Sequence, residues 1–402
     1  MRSILITTTS DEALNEQLAA AVAEIPDIEV VRVFKEYPAM DQLLRSIRLN
    51  KPDFLFLSGR DLDQAELLAA GVDNLMLELP IVVFGDRLDS PLVLRLMHLG
   101  VREYLTPPFD RAMLVRLRDF ISKLSKKHPP VVARLADLYT FLPAKPGVGN
   151  STLAVSTSCA LADDFGTRTL LMDGDVHAGV VKFLLKLGDS ASILDAVAHA
   201  QNLDDDIWSK MVGHWDKLDV LHAGELSSRP DINLQGLHRV LDVARAQYDV
   251  ICVDLPSSLE PVSVELMEES RRIFMVTTPE VVALHLAAER FRALTKLGLA
   301  DRVSLLLNRK PGRTRTLTEE EVETAVGLPV SHTFSNDYDG VGRTILQGGP
   351  ISHNSPLGES ILDLARGLVP ERVPRQPTSK SRRFLEFFHV PVDAEPAHAL
   401  RD

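Results

Sequence analysis

The sequence predicts an α/β chain made of two doubly wound parallel-sheet domains in tandem. Three observations carry this prediction. Residues 1–122 alternate short apolar runs with stretches of helical periodicity, giving five strand-type units. Residues 135–370 hold apolar runs that end in carboxylates, a proline-marked loop or an asparagine. The first of those later runs feeds a glycine-bearing turn, AKPGVGNST at 144–152, and a helical pattern leaves it. A chain of 402 residues has room for two or three such domains.

In the first domain, residues 3–8 read as a strand and 11–25 as a helix with Asp11 as its cap. Residues 28–34 form the next strand and 40–49 the next helix. The apolar runs at 54–57, 81–84 and 103–105 suit central strands, and the set implies a flavodoxin-like sheet. Charge and two prolines interrupt the periodicity in SKLSKKHPPVVAR at 122–134. The domain is therefore expected to span 1–122, with a linker over 123–134 and the second domain over 135–370.

The turn at 144–152 has the frame of a phosphate-binding loop, G-x-x-x-x-G-K-[ST], with two substitutions. Ala144 stands at the first glycine and Asn150 at the lysine. LYTFL at 138–142, bounded by Pro143, suits a buried strand, and Gly166 closes the helix that starts at Ser151. Gly147 and Gly149 allow a tight turn and close backbone approach to phosphate. Successive backbone N–H groups through Val148 and up to Thr152 would then form an anion-binding concavity at a helix N-terminus. The Ser151 hydroxyl would sit on Mg²⁺. Pro146 has no N–H to contribute. Asn150 can donate a hydrogen bond but brings no charge. A charge-assisted bond is about twice as strong, so binding should weaken without vanishing. Lys145 is the remaining cation in the loop. Taken alone, the turn also fits a strand–helix connection without a ligand.

RTLLMDGD at 168–175 is an apolar strand ending in Asp173 and Asp175. Ligands of open α/β sheets bind at such strand ends, where one acid can hold Mg²⁺ and another orient water. Solvated capping acids explain the same pattern without a ligand. In YDVICVDLPSS at 248–258, Asp249 opens a strongly apolar strand and Asp254 ends it, the form of a Walker B element. RIFMVTTPE at 272–280 and VSLLLNRK at 303–310 complete the series. The amide of Asn308 could pair with an adenine edge through one donor and one acceptor, or serve as an ordinary turn residue.

In this order the segments resemble the ParA/MinD group of deviant Walker A ATPases. The resemblance implies ATP and Mg²⁺ as ligands, and a homodimer that sandwiches the nucleotides. It makes Lys145 the early lysine that reaches the partner's phosphates, Asp175 the hydrolysis-linked acid, Asp173 its neighbour and Asp254 the Walker B residue. The family's second lysine is absent at Asn150. The late segment GLPVSHTFSNDYDGVGRTILQGG at 327–349, with Ser355-Pro356-Leu357, is similar to the CpaE/TadZ subfamily. That similarity implies a role in positioning or assembling Tad-type pilus or secretion machinery at the cytoplasmic face of the inner membrane or the cell pole.

The first domain resembles a response-regulator receiver, most closely in KPDFLFLS, LPIVVFG and GVREYLTPPFD. Its chemistry is missing. Ser58 stands at the phosphoacceptor, Gly85 at the hydroxyl residue, and Pro107 at the lysine before the retained Pro108. Asp11 and Glu12 sit late for an acidic pair. The expectation is a pseudo-receiver, an interaction module with a dimerisation face, which does not take up phosphate.

Composition narrows the alternatives. A net charge of −12 and a pI near 5.5 disfavour a broad DNA-binding surface. No run reaches the roughly 18 apolar residues of a spanning helix. Met1-Arg2 leads straight into a strand, so no secretory signal is expected and the chain is expected to be cytoplasmic. Cys159 and Cys252 lie in apolar contexts, expected buried and reduced. The twelve histidines show no paired ligand spacing, so no metal besides Mg²⁺ is expected. In the tail, 371–402, a proline-rich polar stretch precedes RRFLEFFHV at 382–390. That run has the pattern of a basic amphipathic helix suited to an anionic membrane, or to docking on protein. Two functions follow: an ATP-binding dimeric switch with weak or absent hydrolysis, or a non-catalytic nucleotide-binding scaffold. A positioning ATPase for another cargo is a third.

Overall fold

The computed structural model describes residues 1–8, 12–74, 78–87, 95–127, 130–131, 135–225, 232–310 and 317–370. The chain divides into two compact units between Arg134 and Leu135. The helix Arg111–Lys127 continues five residues past the boundary expected at 122. It buries Leu114, Leu117 and Ile121 on one face, and Lys126 and Lys127 in its last turn complement the helix dipole. The lysines that read as a break in the pattern are thus a helix end. Asp11 and the tail at 371–402 lie outside the described residues.

The first unit is a five-stranded sheet, with β1 Arg2–Ile6, β2 Glu29–Phe34, β3 Phe54–Ser58, β4 Ile81–Phe84 and β5 Val101–Leu105. Its order is β2-β1-β3-β4-β5 and every pairing is parallel. This is the doubly wound order of flavodoxin-like sheets. Central strands β3 and β4 are buried on both faces, which is why FLFLS and IVVF read as unbroken apolar runs. The edge strands β2 and β5 carry Arg32, Arg102 and Glu103 toward solvent. At the C-terminal end of β3, Ser58 is buried, and the Tyr37 hydroxyl donates to its carbonyl at 2.8 Å. The Tyr104 hydroxyl donates to the Arg87 carbonyl at 3.2 Å and lies over Gly85, where a Cβ would come within 2.2 Å of it. A residue larger than glycine at 85 would have to displace this phenol.

The second unit is an eight-stranded sheet. Its strands are β6 Asp137–Pro143, β7 Thr169–Asp173, β8 Gly213–Trp215, β9 Leu218–Leu221, β10 Val250–Asp254, β11 Arg272–Thr277, β12 Val303–Lys310 and β13 Val330–Ser335. The order is β13-β12-β11-β6-β10-β7-β9-β8, parallel throughout except for the β8–β9 hairpin. From β6 the chain crosses to β7 on one side, and from β11 it steps to β12 on the other. The C-terminal ends of β6, β10 and β11 therefore flank the point where the winding reverses, the position at which such sheets bind ligands.

The helix Asn150–Asp163 follows β6 and is buried along nearly its whole length. Its small residues, Ala154, Ser156, Thr157, Ser158, Ala160 and Ala162, let it sit between the sheet and the helix Pro356–Leu368. Its hydroxyls are used inside this layer: Ser158 Oγ donates to the Ala154 carbonyl at 2.7 Å, and Ser156 Oγ accepts the Ile351 N–H at 3.1 Å. Cys159 and Cys252 are buried and free, and burial raises both thiols above their usual range. Among the described residues, no helix is long and apolar enough to cross a membrane.

Candidate functional site

The loop between β6 and the helix Asn150–Asp163 is built by two glycines in left-handed conformations, Gly147 with φ 81° and Gly149 with φ 91°. Gly149 is the N-cap residue, and no side chain caps this helix. Its first N–H groups are the orphan donors that a helix end normally satisfies with a cap, water or a ligand. Nothing lies within 4 Å of where a Cβ of Gly147 would be, so that side of the loop is open. On the other side, Asn308 closes against the backbone. Its Nδ2 donates to the Val148 carbonyl at 2.8 Å, and its Oδ1 accepts the Arg309 N–H at 2.8 Å. Asn308 thus braces the loop with both ends of its amide.

Asn150 turns away from the open side. It is 5% exposed, and its Nδ2 donates to Asp254 Oδ1 at 2.6 Å and to the Phe141 carbonyl at 2.9 Å. The amide is a strut between the helix start and the ends of β6 and β10. Its Oδ1 is buried with no hydrogen-bond partner among the described residues. Sequence reasoning treated position 150 as a weakened phosphate ligand. The short side chain instead reaches the buried acceptors beneath it.

Asp254 and Asp173 end adjacent parallel strands in direct register, and they are 2% and 0% exposed. Asp173 Oδ1 accepts the Asp175 N–H at 3.2 Å, and Oδ2 accepts the Val181 N–H at 3.0 Å. Burial pushes the Asp254 carboxyl up to about 7, against hydrogen bonds from Ser151 and Asn150, and the Asp175 charge adds to the rise. Burial, and next the Asp254 charge, push Asp173 well above the usual carboxylate range. Neighbouring buried carboxyls resist double ionisation. Asp175 is half-buried, and its Oδ1 accepts the N–H groups of His177 at 3.3 Å and Ala178 at 3.0 Å.

The sequence series therefore converges: Ala144 to Thr152, Asp173, Asp175, Asp254 and Asn308 cluster at the C-terminal ends of β6, β7, β10 and β12. Two further residues join them that the sequence gave no reason to single out. Lys145 Nζ lies 3.3 Å from Glu280 Oε2, and Arg290 Nε donates to the Ala144 carbonyl at 2.8 Å. Burial lowers the Arg290 pKa. In the sequence Glu280 only closes the proline-marked stretch after RIFMVTT, and nothing there assigned it a contact.

The Asp173–Asp254 pair, with the Ser151 hydroxyl bonded to Asp254, offers the hard oxygen donors that suit Mg²⁺. A divalent cation there would relieve the repulsion that raises both carboxyls. The residues fit the ion.

No protein-family model matches the chain. The chain is similar to the septum site-determining protein MinD of Thermotoga maritima, 25% identical over 239 residues, covering 57% of this chain and 87% of that protein. Among solved structures it is similar to a ParA family ATPase from Chlorobium tepidum. That match has a TM-score of 0.53 at 24% identity and covers 58% of this chain and 98% of the other. A second is the MinD of Pyrococcus horikoshii, solved with Mg-ADP, with a TM-score of 0.49 at 21% identity over 58% of this chain and 96% of that one. Over 57–58% of its length the chain is thus similar to MinD and ParA family proteins, and the ParA match shows a shared fold.

Proposed function

We propose, starting from that similarity, that this chain is an ATP-binding dimeric switch whose hydrolysis is weak or absent. The observation that carries the reading is the uncapped helix start behind Gly147 and Gly149, open above the buried Asp173–Asp254 pair. ATP lies with its phosphates on the backbone N–H groups of 147–152. Ser151, Asp173 and Asp254 hold Mg²⁺, which when bound offsets charge on the phosphate oxygens. Two copies close over the nucleotides, and Lys145 reaches the partner's phosphates. Asp175 orients the attacking water. The first unit, read as a pseudo-receiver without an acceptor carboxylate at Ser58, contributes a dimer or partner face. The cargo is a Tad-type pilus or secretion apparatus, at the cytoplasmic face of the inner membrane or the cell pole. For this role the first unit ends with the helix Arg111–Lys127, the unit that begins at Leu135 carries the nucleotide, and the tail, 371–402, contacts the membrane.

The test is calorimetric titration of the full chain with ATP and Mg²⁺, with oligomeric state measured in parallel. The expected result is saturable binding and a shift from monomer to dimer with ATP. Folded protein with no affinity for any purine nucleotide would end this reading.

A non-catalytic scaffold is the second reading, and the inward Asn150 favours it, because position 150 then offers no cation to stabilise charge in phosphoryl transfer. Single-turnover hydrolysis separates the scaffold from a switch that retains weak hydrolysis, and ATP-dependent dimerisation separates it from one that has lost hydrolysis. In a switch, Asp175→Ala lowers the rate at least about tenfold with ATP affinity within about twofold of wild type. Equal background rates in both proteins support the scaffold.

A further inference from the structure

Glu280 occupies the N-cap position of the helix Val281–Lys296, yet its side chain makes no capping bond. Its carboxylate instead faces Lys145, with Oε2 3.3 Å from Nζ. The same helix holds the neighbouring loop residue through Arg290 and the Ala144 carbonyl, so the first two residues of the loop are both tied to it. The ion pair is accessible, Lys145 being 26% and Glu280 58% exposed at the side chain. The next two residues, Val281 and Val282, are 78% and 63% exposed. The pair can part without disturbing the core.

We propose that Glu280 is a positioning residue that holds Lys145 on its own chain while the loop is free of nucleotide, and releases it when a triphosphate binds. This rests on the reading of the loop as a nucleotide site. A triphosphate carries several negative charges and strong acceptors, so it outcompetes one half-exposed carboxylate for the ammonium. The released carboxylate is not stranded, because it stays at a helix N-terminus, where the dipole favours negative charge. The exchange makes Lys145 available only when a nucleotide is present to receive it.

The test compares wild type with Glu280→Gln and Glu280→Ala as full chains. Lys145 is treated with a small water-soluble amine-acylating reagent and its modification followed by peptide mass spectrometry, with Lys296 on the same helix as the internal control. Without nucleotide, both variants should acylate Lys145 about two- to fivefold faster, the range expected for a half-exposed ion pair, with Lys296 unchanged. They should also bind ATP–Mg²⁺ about two- to fivefold more tightly by calorimetry. Equal acylation of Lys145 in all three proteins overturns the contact itself. Faster acylation with unchanged or weaker ATP binding overturns its role in the exchange. Faster acylation with no ATP binding by any of the three leaves the Lys145–Glu280 contact standing, and overturns both the exchange and the nucleotide switch.

Discussion

Asn150→Lys is expected to tighten ATP–Mg²⁺ binding by about tenfold or more, and to raise single-turnover hydrolysis by a larger factor. Asn150 contributes only a neutral amide, and that amide is committed to Asp254 and the Phe141 carbonyl. A lysine adds a formal charge and a longer reach. Hydrogen bonds to charged groups contribute roughly 1.5–3 kcal/mol, which sets the tenfold floor. Hydrolysis should gain more than binding because charge grows on the transferring phosphoryl group in the transition state. Calorimetry and single-turnover assays on the same preparations check both parts. Unchanged affinity in a folded variant would mean that the phosphates do not approach position 150. Asn150→Ala is the counterpart: it leaves the Phe141 carbonyl and Asp254 without their buried donor and should cost about 1–3 kcal/mol of stability.

The second large effect concerns Asp254. In the folded chain burial pushes its carboxyl up to about 7, from an ordinary value of 3.8. Between those values the folded state holds a proton that the unfolded state has released. Its contribution to stability is therefore greatest at low pH, declines as pH rises from about 4 to 7, and is constant above that. Removing the charge should relieve the free chain at alkaline pH. Asp254→Asn is expected to raise the melting temperature at pH 8 by several degrees, on the order of 2–4 kcal/mol, and by much less at pH 5. Differential scanning fluorimetry at the two pH values, without nucleotide or Mg²⁺, measures it. The opposite sign is expected with ligand. If Asp254 holds Mg²⁺ as proposed, binding needs the ionised carboxylate, so wild-type affinity for ATP–Mg²⁺ should fall as pH drops below 7, and Asp254→Asn should lose the Mg²⁺ dependence. In Asn150→Lys the ammonium falls against Asp254 and favours its charged form, so the pH dependence of stability should flatten. A higher melting temperature for Asp254→Asn at pH 5 than at pH 8, relative to wild type, would refute the account.

The parallel strands β3, β4, β6, β7, β10, β11 and β12 were legible because burial on two faces makes them nearly continuous apolar runs, and their turns carry glycine, proline or acid. Residues 81–84 and β4 coincide, and the run at 138–142 extends by one residue at each end to become β6. The hairpin of β8 and β9 was not legible. Gly213–Trp215 is three residues long, and its turn relies on Asp216 at φ 48° in place of a glycine. The strand β13 hid inside GLPVSHTFS because an edge strand is only partly buried and lacks a continuous apolar signal. At the site, the order of carboxylates along the chain gave their convergence, since each closes a strand of one parallel sheet. The direction of the Asn150 side chain was not available from spacing. It depends on which unpaired acceptors lie beneath the loop, and those come from β6 and β10, over a hundred residues apart.

The helix Pro356–Leu368 lies along the small-residue helix Asn150–Asp163, and the Ile351 N–H bonds Ser156 just ahead of it. A substitution that loosens this packing would therefore disturb the helix whose N-cap is Gly149.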